Sequence, residues 1–134
     1  MAEIGTLSLH DAVELFYMAM ETQDRFFEFW ITATFAVIIA CHIGSTILSR
    51  SFSIMISFIY LAFSANMIGK WFIAGEAMTR YRDMIATHIG IQPQGTLADL
   101  STMLSMTTLF VGTGVTIFFV WHTYKNRKVV DRNG

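Results

Sequence analysis

The stretch "FWITATFAVIIACHIGSTILSRSFSIMISFIYLAFSANMIGKW", residues 29–71, decides the fold. Before Lys70 its only Asp, Glu, Lys or Arg is Arg50. A helix that crosses a bilayer needs about 20 mostly apolar residues, and each side of Arg50 supplies a run of about that length. A third run free of these four residue types lies between Leu100 and Tyr124. Only 14% of the whole chain is charged, against roughly a quarter in a soluble domain. The sequence therefore predicts an all-α integral membrane protein with three transmembrane helices. The spans are expected over about 28–48, 52–72 and 100–122.

Working outward, "SLHD" at 8–11 fits a capping box, with Ser8 at the N-cap and Asp11 three residues on. No Pro, and only Gly44 among glycines, interrupts the chain from Leu9 to Ile47. The first helix is therefore expected to start outside the membrane and to run into it unbroken. Val13, Phe16, Met20 and Phe27 align along the extension 9–27. "LSRSFS" predicts a tight reversal around Arg50, with the second span starting near Phe52. Beyond Lys70, Met78, Tyr81, Ile85 and Ile89 continue a helical face over 75–90, where Gly90 is the expected stop. "IQPQG", with the only proline, Pro93, reads as a loop, and "TLAD" at 96–99 as a second capping box, led by Thr96. The first two helices then form a long antiparallel hairpin that projects about 20–30 Å beyond the bilayer. With no internal repeat, residues 1–134 read as one membrane domain ending in a basic tail, 125–134.

The acidic start "MAEIGTLSLHD" lacks the pattern of a cleavable signal peptide. A net charge of −1 gives no basis for nucleic-acid binding. A single cysteine, Cys41, leaves no intrachain disulfide or paired-thiolate metal site. Arg50 and the tail residues Lys125, Arg127, Lys128 and Arg132 fall on one side of a three-span protein. The positive-inside rule makes that side cytoplasmic and puts the N-terminus outside. The expected location is a bacterial inner membrane.

Several polar residues stand out against this background. A turn at Arg50 places Lys70 level with Glu28, so the two are expected to pair at the outer interface, with Trp30 and Trp71 as an aromatic belt. The same register brings Arg80 near Glu21. Asn66, one turn deeper than Lys70, is expected to bond to the first helix near Thr32 and Thr34. His42 is the intramembrane ionisable candidate. No cofactor is predicted; a haem would rest on His42, and copper on His10 and His88 with nearby methionines.

On the third helix Ser101, Ser105, Thr108, Gly112 and Thr116 follow helical steps and form a small, hydroxyl-rich stripe. Ala33, Ala36, Ala40 and Gly44 make a small-residue stripe on the first. Such faces let membrane helices approach closely, and a hydroxyl stripe can also line a pore. No nucleophile–base pair, phosphate loop or paired-carboxylate site occurs, so the chain is not expected to be an enzyme.

The leading expectation is a homo-oligomeric bundle that conducts or binds an ion or small solute, with the third-helix stripe toward the axis. The alternative is a non-catalytic accessory subunit that docks on a larger membrane complex through its projecting hairpin. The three spans and basic inner tail also resemble holins, a likeness of topology that implies lesion formation. In each case the expected partners are the lipid bilayer and either further copies of the chain or a larger complex.

Overall fold

The computed structural model describes residues 7–92 and 95–130, and side chains throughout these except at 96, 98 and 127–130. Pro93, residues 1–6 and the side chains of Arg127, Lys128 and Arg132 thus lie outside the described residues. Three helices follow in order: α1, Leu9–Ile43; α2, Arg50–Ile89; and α3, Thr96–Val130. All three are long and apolar enough to cross a membrane. The 40 residues of α2 span about 60 Å, twice the thickness of a hydrocarbon core of about 30 Å.

The helix ends follow from local chemistry. Ser8 Oγ accepts from the Asp11 amide at 3.2 Å and caps α1. Gly90, in the left-handed region at φ +70°, closes α2, and the Ile91 amide reaches back to the Ala86 carbonyl at 3.1 Å. The reversal between α1 and α2 departs from expectation. It occupies residues 44–49, and Arg50 is the first residue of α2. Gly44, with poor helix propensity, opens a short 3₁₀ turn, Gly44–Thr46. Ser49 Oγ then accepts from the Phe52 amide at 3.2 Å, starting α2 two residues earlier than Phe52. At the start of α3 the Gly95 carbonyl takes the first helical bond, from Asp99, so the cap is one residue earlier than Thr96.

α2 buries Ser53, Ser57, Tyr60, Ser64, Met67, Trp71 and Ala74. The steps alternate four and three, the spacing that keeps one seam of a helix on its neighbour. α1 answers with Ala12, Gln23, Trp30 and Cys41, separated by seven or eleven residues and so on one side of the helix. Two cross-helix hydrogen bonds set direction and register: Gln23 to the Trp71 carbonyl, and Tyr60 with Thr34. As α1 advances α2 recedes, so the two are antiparallel. Two apolar clusters attach α3. Leu109 joins Trp30, Met67 and Trp71, while Val120 and Tyr124 join Cys41 and Leu48. Both α1 and α3 advance eleven residues between the clusters, about 16 Å, so α3 runs parallel to α1.

Candidate functional site

The three helices meet at Trp30, which is 3% exposed. Its indole Nε1 donates to Thr113 Oγ1 at 3.2 Å. Its ring lies so close to Gly112 that a Cβ there would stand 2.5 Å from Cη2 and 3.0 Å from Cζ2. Glycine at 112 is thus the condition for the tryptophan to enter the groove. Phe26, Phe27, Ile31, Phe63, Ile68 and Met106 pack around this junction.

The hydroxyl stripe of α3 divides at this point. Thr116 is 1% exposed and Gly112 meets Trp30, whereas Ser101 and Thr108 are exposed and Ser105 is half-buried. The threonine hydroxyls serve their own helix: Thr107, Thr108, Thr113 and Thr116 donate to the carbonyls four residues back at 2.7–2.9 Å. The threonines can therefore face lipid without an unmet hydrogen bond. Of the small stripe on α1, Ala36 and Ala40 are exposed while Ala33 and Gly44 are half-buried.

The expected Glu28–Lys70 ion pair does not form. Lys70 Nζ stands 5.7 Å from the centroid of the Phe26 ring. Glu28 lies two residues, about 200° of helix rotation, from buried Trp30, and so points away from α2. Nor does Arg80 approach Glu21. Each pairs within its own helix, Arg80 with Glu76 at 3.1 Å and Arg25 with Glu21 at 3.0 Å. The helix faces decide this: all four side chains are exposed, outside the seam.

Asn66 does not bond to the first helix either. It is exposed and has no hydrogen-bond partner among the described residues. Thr34, one of its expected partners, is taken by Tyr60 at 2.8 Å, and Thr32 donates to the Glu28 carbonyl. Asn66 follows buried Ser64 and precedes buried Met67, but itself sits about 100° away from Met67.

His42 occupies the last turn of α1 and is exposed, about 100° of helix rotation from buried Cys41. His88 Nδ1 lies 2.9 Å from the Met84 carbonyl, and His10 is exposed in the first turn of α1. Among the described residues no three or more His, Cys, Asp or Glu side chains gather to hold a metal.

Comparison with protein families, curated proteins and solved structures finds no match. The sequence reading missed Gln23, Tyr60 and the serines of α2. Ser57 and Ser64 are buried with hydroxyls that lack a partner among the described residues. The alternating four-three spacing of 53, 57, 60, 64, 67, 71 and 74 is a signal that could have found them.

Proposed function

We propose that this chain is an integral membrane protein that crosses a bacterial inner membrane three times and works as a homo-oligomer binding or conducting a small ion or solute. Its N-terminus is outside, its C-terminus cytoplasmic, and α1 and α2 form a hairpin extending past the outer surface. The observation that carries the oligomer is Asn66. It sits four residues, about 6 Å, inside Lys70, in a helix long and apolar enough to span. A threonine can return its hydroxyl to its own helix, but a carboxamide has two donors and a carbonyl that the helix cannot satisfy. Placing such an amide in an apolar medium without partners costs about 4–8 kcal/mol on a cyclohexane scale. Association with another copy offers an amide of matching donors and acceptors. Ala62, Ala65 and Gly69, all exposed beside Asn66, let a second helix come close.

The centre of the three-helix unit is filled by Trp30, Met67, Trp71 and Leu109. A path for a solute therefore belongs between copies, where Ser101, Ser105 and Thr108 of α3 offer hydroxyl-bearing surface. The accessory-subunit reading draws on the length of α1 and α2 beyond a span, which leaves paired surface charges at residues 21, 25, 76 and 80 available to a partner.

The test is the mass of the purified chain in mild detergent and in nanodiscs, by light scattering or native mass spectrometry. One defined oligomer is expected for the wild type, and a shift to monomer for Asn66→Val. A wild-type monomer in both media rejects the oligomer. An Asn66→Val oligomer of unchanged size and stability removes Asn66 from the contact.

A further inference from the structure

Gln23 is a polar residue in the otherwise apolar α1 seam, and it is 9% exposed. Its Nε2 donates to the Trp71 carbonyl at 3.4 Å, a long bond. No other partner of this carboxamide occurs among the described residues, so its oxygen is spare. Gly75 makes room for the amide, since a Cβ there would stand 2.7 Å from Nε2. The same Gln23 borders an open cleft of about 610 Å³, within the size range of small-molecule sites. Trp71, Phe72 and Ile73 form one part of its wall, and Glu76, Arg80 and Asp83, one to three turns further along α2, form another. Thr102 of α3 borders it from the other side.

We propose that this cleft holds the headgroup of a zwitterionic aminophospholipid. The inference rests on the membrane reading above, which sets Lys70 and Trp71 at the outer boundary of the span. The cleft begins at that level and is graded in the direction an amphiphile requires. Phe72 and Ile73, 40% and 69% exposed, lie where an acyl chain begins. The charged residues lie farther out, where a headgroup stands. Two carboxylates and one guanidinium suit a ligand with an ammonium beside a phosphate. The ammonium goes to Glu76, Asp83 and the spare Gln23 oxygen, and the phosphate to Arg80. Asp83 meets Arg82 Nε at 3.6 Å but stays 56% exposed, and the Glu76–Arg80 pair does not oppose binding either. Glu76 and Arg80 are both largely exposed, and a solvent-screened i,i+4 pair of that kind contributes little to stability. The ligand can therefore divide the pair between its own two charges at little cost.

The experiment is native mass spectrometry of the full chain in dodecyl maltoside, titrated with phosphatidylethanolamine, phosphatidylglycerol or soluble phosphoethanolamine. Phosphatidylethanolamine is expected to remain bound, and phosphatidylglycerol to bind about tenfold more weakly through loss of the ammonium contacts. Phosphoethanolamine is expected to show no binding in the same range. The Glu76→Gln/Arg80→Gln double variant changes only exposed side chains and is expected to lose the preference for phosphatidylethanolamine. Gln23→Leu is a second variant, expected to weaken that lipid while keeping the seam filled. Equal binding of the two lipids, or a preference unchanged in both variants, overturns the proposal. Phosphoethanolamine binding as tight as the lipid makes the cleft a site for a soluble amine phosphate, and also overturns it. Failure of the membrane reading is separately visible: the chain would be recovered from cells in the soluble fraction before any lipid is added.

Discussion

Replacing Gly112 by alanine is a one-carbon test of the three-helix junction. The added Cβ would stand 2.5 Å from Trp30 Cη2. Carbon atoms pack at about 3.5–4.0 Å, so roughly 1 Å must be found. Trp30 has little freedom to supply it, for its ring packs on Met67, Trp71 and Leu109 and its nitrogen is tethered to Thr113. Either α3 backs away from α1 or the indole leaves the groove. Overpacking of this kind costs about 1–3 kcal/mol. Loss of the Trp30–Thr113 hydrogen bond adds roughly 0.5–1.5 kcal/mol. Against this stands the gain of replacing a helical glycine, about 0.5–1 kcal/mol. The net expectation is destabilisation of roughly 1–3 kcal/mol. Gly114 is the internal control, because a Cβ there meets nothing within 4 Å. Gly114→Ala should be neutral or stabilising by up to about 1 kcal/mol. The assay is reversible SDS unfolding in mixed micelles, followed by far-ultraviolet circular dichroism, whose helical signal does not depend on Trp30. Adding Trp30→Phe to Gly112→Ala should restore part of the loss, since the smaller ring no longer reaches position 112. Equal stability of Gly112→Ala and Gly114→Ala would refute the packing argument.

Two further substitutions read the cross-helix contacts. Thr34 carries one hydroxyl proton and gives it to the Trp30 carbonyl at 2.8 Å, so Tyr60 is the donor between Thr34 and Tyr60. Tyr60→Phe should therefore cost only about 0.6 kcal/mol, the mean for membrane hydrogen bonds, because Thr34 keeps its own bond. Thr34→Val should cost more, about 1–3 kcal/mol, by orphaning a buried phenol; the reverse order in the same unfolding assay would sink this assignment. A double-mutant cycle of Glu28→Gln and Lys70→Met should show coupling below about 0.5 kcal/mol, as two independent sites do; a coupling above about 1 kcal/mol would mean that the two charges meet after all.

The serines of α2 show why part of the fold was legible in the sequence and part was not. The charge-free runs, the Ser8 box and Gly90 are local signals. A backbone end needs a cap, and a long apolar run needs only length, whatever surrounds it. They set three helices and most of their ends. The reversal was misplaced because Gly44 and Ser49 carry weaker, competing versions of the same signals. Which face turns inward is a different matter. In a soluble protein the apolar side marks the core, but lipid is as apolar as leucine, so that contrast vanishes in a spanning helix. Exposed Ile54, Met55, Phe58 and Ile59 alternate with buried Ser53 and Ser57, the reverse of the soluble pattern.

The candidate site depended on that inversion. The sequence by itself supplied the polar residues: Asn66, Lys70, Glu28, His42 and the hydroxyls of α3. Only the tertiary structure decided their directions. Helix rotation turns Glu28 away from the seam, leaves Asn66 outside it, and draws Gln23 and Trp30 into it. The cause is steric and hydrogen-bonding fit between helices: an indole needs the groove over Gly112, and an amide needs the gap at Gly75. Those fits join residues far apart in the chain, so no local stretch of the sequence contains them.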